Sequence, residues 1–237
     1  MIIKCVWEHN GDDSLIFSEN FIGAFTRGQS RELAMEKMKE EIETYLHWKN
    51  EDIPNDLIPE IVKEKKSNLQ ICDADSDVIF DEEETQLTKE EYLLLKSLAL
   101  KSADDFLKLY NMIPDKHKSV LDDRKTFYGV VPKTAFEMYE HTKNVNSYYF
   151  GEINVSVNNE GTIYECRKRG FELLESSENY LDNIVHIGSY NELWSLRKVI
   201  RRFVWHDRIH AKAMYRMAIK TFGQGFVDNI FKFNISI

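Results

Sequence analysis

The sequence predicts an α+β N-terminal domain over residues 1–84, followed by an all-α bundle of four helices over residues 85–237. Two observations carry this prediction. In the first third, short β-branched and aromatic runs separated by turn residues surround one amphipathic helical stretch; from Thr88 onward apolar residues recur at helical spacing with no strand between them. Hydrophobic residues fill 43% of the 237 positions, enough to build one or two packed cores.

Taken in order, Ile2–Trp7, Leu15–Ser18 and Ala24–Thr26 read as strands, with Asn10-Gly11-Asp12-Asp13 as the turn between the first two. Ser30 caps a helix from Arg31 to Trp48, in which Leu33, Met38, Ile42, Tyr45 and Leu46 recur at helical spacing and Glu and Lys fill the other faces. Pro54 and Pro59 end it, and Leu69–Cys72 with Val78–Phe80 supply a last extended segment. The acidic stretch from Asp73 to Glu84 imitates a calcium loop in its carboxylate spacing. Val78 stands where the sharp turn needs glycine and no helix enters, so a solvated acidic linker is expected.

In the second part, Thr88-Lys89-Glu90-Glu91 offers a capping box before Leu93, Leu94, Leu98, Phe106, Leu107 and Tyr110. Pro132 and Thr134 precede a helix to about Phe150, Gly161-Thr162 one to about Ser176, and Tyr190-Asn191-Glu192-Leu193 opens a last helix that stops near Gly223. Four long helices without intervening strands favour a bundle, whose core is a common place for metal sites.

The chemistry lies in three histidines. His206 and His210, four residues apart, share a helical face with Val199, Phe203, Met214 and Met217, where an imidazole without a partner is costly to bury. His141 from a neighbouring helix completes three nitrogen ligands and leaves a position for water or substrate, the arrangement of an open divalent-metal site. Imidazole suits zinc, nickel, iron and manganese alike. His9, His47, His117 and His186 have no comparable arrangement and are expected at the surface or in local hydrogen bonds.

Arg202, one turn before His206, is placed to meet an acidic substrate group, and Tyr148, two turns after His141, to donate a hydrogen bond. Glu137 shares the His141 face, but no residue stands out as catalytic. On the opposite side of the last helix Arg197, Arg201, Arg208 and Lys212 form a basic stripe beside Trp205, expected to pack against the acidic N-terminal domain or solvent. A net charge of −9 argues against nucleic-acid binding. Three scattered cysteines, no leader-like opening and no long apolar run point to a reduced, cytoplasmic chain without a membrane span.

Two resemblances sharpen these expectations. Gly23-Ala24-Phe25-Thr26-Arg27-Gly28-Gln29-Ser30, with Ala34 and Glu40-Glu41-Ile42-Glu43, resembles the HicB-type antitoxin domain over roughly the first 80 residues. That resemblance implies a partially RNase H-like module lacking nuclease residues and contacting a protein partner. Residues from about 86 to 222 resemble the DinB-like superfamily of metal-binding four-helix bundles. The matching segments are Leu196 to Lys212, similar to that family's last helix, and Met138-Tyr139-Glu140-His141-Thr142-Lys143, similar to its second. It implies a three-histidine site at His141, His206 and His210 and a metal-dependent enzyme, foremost a thiol-dependent transferase and otherwise a hydrolase. A low-molecular-weight thiol cosubstrate, a small-molecule substrate and association into a homodimer are compatible with it. The alternative is a noncatalytic interaction or scaffold protein with a structural metal.

Overall fold

The computed structural model describes residues 1–235, a mixed α/β arrangement with an N-terminal four-stranded sheet and a largely helical C-terminal part. Strands β1 (Ile2–His9), β2 (Ser14–Ser18) and β3 (Phe25–Gly28) form an antiparallel meander. The expected turn between the first two is held by Asn10, whose Oδ1 accepts from the backbone N–H groups of Asp12 and Asp13 at 3.1 and 2.9 Å.

The fourth strand lies where the sequence pattern pointed to a break. β4 (Ile58–Lys66) runs parallel to β1 and completes the order β3-β2-β1-β4. Pro59 is accommodated because β4 is an edge strand, where a missing N–H breaks no ladder. The segments Leu69–Cys72 and Val78–Phe80, expected to be extended, instead wrap across the sheet, and Ile71, Val78 and Phe80 bury their side chains there. Nor is the acidic stretch a solvated linker. Lys63 Nζ reaches Ile79 O at 3.0 Å, Lys65 pairs with Asp77, and Glu83 is buried. The single helix expected over 31–48 is two, α1 (Arg31–Glu36) and α2 (Met38–Lys49), because the Lys37 amide turns onto Met35 O instead of continuing the ladder.

The remaining helices are α3 (Lys89–Met112), α4 (Ala135–Gly151), α5 (Ile163–Glu175) and α6 (Leu196–Phe222). Capping boxes Thr88/Glu91, Thr134/Glu137 and Thr162/Glu165 start the first three. The last helix begins later than expected. A hairpin of β7 (His186–Ile187) and β8 (Leu193–Trp194) occupies the segment before it, and Ser195 is the true N-cap, accepting from Lys198 N at 3.2 Å. A second short hairpin, β5 (Lys125–Thr126) and β6 (Gly129–Val130), lies between α3 and α4.

Helix α6 is the shared wall. One side packs on α3 and α4; the other carries Trp205 and Ile209 onto Val6, Leu15, Phe17 and Phe80 of the N-terminal part. The approach is close enough to require glycine: at Gly23, with φ +87°, an added Cβ would stand 2.5 Å from Val204 Cγ1. The basic stripe inserts into this seam. Arg208 Nη2 bonds Glu41 Oε1 at 2.6 Å, and Arg201 Nη2 bonds Glu83 Oε2 at 3.0 Å and Val78 O at 2.8 Å. Arg197 instead holds the start of α3 through Glu91 at 3.1 Å. No helix among the described residues is long and apolar enough to cross a membrane.

Candidate metal centre

Helix α4 presents His141 and α6 presents His206 and His210 to one point, as the four-residue spacing requires. One ring nitrogen from each lies within 4.8 Å of the others. The ring centroids are 5.1 Å apart for His141–His206, 4.7 Å for His141–His210 and 4.5 Å for His206–His210. Around them Val199, Phe203, Met214 and Met217 are fully buried, so the apolar face inferred from the sequence is present.

The electrostatics favour free lone pairs. Burial drives all three imidazoles below their ordinary titration range: His210 falls to about 3, and His206 drops well below its usual value under burial and the neighbouring His210 and His141 rings. All three are therefore neutral near pH 7. His206 Nδ1 is buried and has no hydrogen-bond partner among the described residues. Three convergent neutral imidazoles with an orphaned nitrogen fit a divalent ion, held by His141, His206 and His210. No cysteine, aspartate or glutamate joins the cluster among the described residues.

The other expected residues sort differently. Arg202 is packed beneath the site, its guanidinium 4.7 Å from the Trp205 ring centroid and 5.6 Å from that of Tyr149, which in turn lies 6.1 Å from His206. It donates to Ser76 O at 2.9 Å, while its Nε has no partner among the described residues. Tyr148 is 39% exposed and packs on Tyr149 and Trp194; burial of its hydroxyl region, with Glu152 and Glu192 nearby, raises its pKa, so it is a neutral donor. Glu137 does not join the histidine cluster. Its carboxylate accepts from Lys133 N and Thr134 N, both at 3.0 Å, as the cap of α4. His9 bonds Glu64 and His186 bonds Asn154, local roles as expected, while His47 and His117 are exposed.

Two contributors escape a reading by spacing. Trp194 on β8 and Ser76 in the wrapped acidic segment both touch Arg202, the second bringing the N-terminal part to the edge of the centre. Asp207, between the two histidines, is fully buried against Arg167 of α5, with Nη2 to Oδ1 at 3.0 Å, and Arg167 also donates to Asn146 Oδ1 and Ala99 O at 3.1 Å. This pair ties α3, α4, α5 and α6 together directly behind His206. Arg167 stands on an apolar stripe with Ile163, Gly170, Phe171 and Leu174, a legible sign of a buried counter-charge. No protein-family model, curated protein or solved structure matches this chain.

Proposed function

We propose that the chain is a metal-dependent enzyme of the DinB-like type, in which His141, His206 and His210 bind a divalent ion and leave a position open to a substrate thiol or water. The observation that supports this most is the meeting of three neutral imidazoles from two helices, one with an orphaned buried nitrogen. When bound, the ion supplies Lewis acidity that lowers the pKa of a thiol or water near neutral pH.

The residues around it favour thiol chemistry. Hydrolysis ordinarily calls on a general base within hydrogen-bond reach of the attacking water, and the described residues bring no carboxylate to the cluster. A thiol needs no such base once its proton is readily lost. Arg202, a cation with an unpartnered Nε one turn from His206, anchors an acidic group of the substrate, and Tyr148 donates a hydrogen bond at the rim. The ring wall of Tyr149, Trp194 and Phe203 excludes water from one side. In this proposal the reaction is a thiol-dependent transfer with a low-molecular-weight thiol as cosubstrate.

The second reading is an interaction or scaffold protein braced by a structural metal, with the HicB-like part contacting a partner. That no carboxylate joins the histidines among the described residues favours it. Cobalt-loaded protein titrated with a small thiol separates the two: a thiolate-to-metal charge-transfer band together with thiol-dependent turnover supports the enzyme. A spectrum unmoved by thiol supports the scaffold.

A further inference from the structure

The basic side of α6 holds five cations, Arg197, Arg201, Arg208, Lys212 and Arg216, spaced four to seven residues apart along the seam. The first three have carboxylates: Glu91, Glu83 and Glu41. The last two do not. Lys212 and Arg216 form no ion pair among the described residues; instead they line a cavity of about 450 Å³ between α6, α2 and β3. Across that cavity stand Arg27 and Lys37, again cations and again without an ion pair among the described residues.

Cation therefore faces cation in a protein of net charge −9. Two carboxylates, Glu40 and Glu41, share the lining, but Glu41 is engaged by Arg208 and Glu40 by the Asn234 amide. Burial, and beyond it the Arg216 and Arg208 charges, hold Lys212 below its ordinary pKa against the opposing pull of Glu41 and Glu40. Arg27 is likewise lowered by burial and by Arg124, against the opposing pull of Asp73. Arg27 Nη1 donates to Cys72 O at 3.0 Å and Lys37 Nζ to Arg27 O at 2.8 Å, which fixes both at the rim through neutral carbonyls and not through an ion pair. Four cations against two carboxylates, one of them held by Arg208, leave an excess of positive charge whose free-energy cost a multivalent anion removes.

We infer that this cavity is a second ligand site, separate from the histidine centre on the other side of α6, and that it takes a small phosphate-bearing anion. Two guanidinium groups and two ammonium groups from opposite walls surround a tetrahedral, doubly charged group better than a single planar carboxylate, which one arginine fork satisfies. The space exceeds an orthophosphate, and Phe25 on the wall offers an apolar surface for an organic portion. An anion there bridges the N-terminal part to α6 and replaces the carboxylates missing from the end of the stripe.

Titration calorimetry of the full chain with inorganic pyrophosphate, at constant ionic strength, tests this. One equivalent is expected to bind and to raise the unfolding temperature. Lys37→Ala and Arg216→Ala each remove an exposed side chain, so the fold survives, and each is expected to weaken binding at least about tenfold. His206→Ala is expected to leave it unchanged. Absence of saturable binding, binding indifferent to both cation variants, binding lost in His206→Ala, or equally tight uptake of citrate would each overturn the assignment.

Discussion

Arg208 of α6 places Nη2 2.6 Å from Glu41 Oε1 of α2, with the arginine fully buried and its guanidinium boxed by the rings of Tyr45, Trp48 and Phe233. A cation in that box depends on Glu41, its one carboxylate among the described residues. Removing the partner leaves an uncompensated buried charge, so Glu41→Ala is expected to destabilise the chain by about 3–5 kcal/mol. Replacing both residues with Met is expected to cost much less than the two single changes combined. Chemical denaturation with a double-mutant cycle measures the coupling, and additive losses would show that the pair does not act as a unit.

The Arg167–Asp207 pair sits behind His206 and raises a distinct question, whether it serves the fold or the ligands. Both side chains have no solvent exposure, and among the described residues no bond runs from either to an imidazole. Asp207→Asn is therefore expected to lower stability by about 3–5 kcal/mol. An Arg167→Met, Asp207→Leu double variant is expected to recover most of that loss and to keep metal uptake. Recovered stability with lost metal would instead assign the pair to positioning His206.

Glu8 makes stability depend on pH. It is fully buried on β1, accepts from the Ser76 hydroxyl and from Asp77 N at 3.2 Å, and burial pushes its pKa up to about 7. Between its unfolded value of about 4.3 and about 7 the folded state holds the extra proton, so this contribution is fully present below that window and is lost as pH rises through it. Relative to Glu8→Gln, the wild type is expected to lose on the order of 1–3 kcal/mol between pH 5 and pH 8. Denaturation midpoints across that range check it; parallel profiles for the two proteins would contradict it.

The sequence made the histidine centre legible because its physics is local. His206 and His210 share a face through helical periodicity alone, and the surrounding apolar residues announced that the face was buried. The capping box at Thr88 likewise announced a helix start, and Thr134 and Thr162, read as preceding their helices, prove to be capping boxes as well. What escaped depends on distant partners. β4 carries Pro59 and alternating charges, and only its place at a sheet edge, with Lys63 and Lys65 tied to Asp81 and Asp77, makes it a strand. Glu137 shares a helical face with His141 yet serves the cap, since a first-turn glutamate is drawn to free N–H groups. The division of the basic stripe into paired arginines and an unpaired end follows from which carboxylates α2 and the wrapped acidic segment deliver, which no spacing within α6 records.

The central claim is that His141, His206 and His210 together bind a metal ion. Its most direct test is the metal content and affinity of the purified protein after identical loading with zinc, nickel, iron or manganese, compared with His141→Ala and His206→Ala. Near-stoichiometric metal in the wild type, lost in both variants while circular dichroism shows the fold retained, is the predicted result. A correctly folded wild type that takes up none of the four ions, or either variant retaining full stoichiometry and affinity, would contradict it.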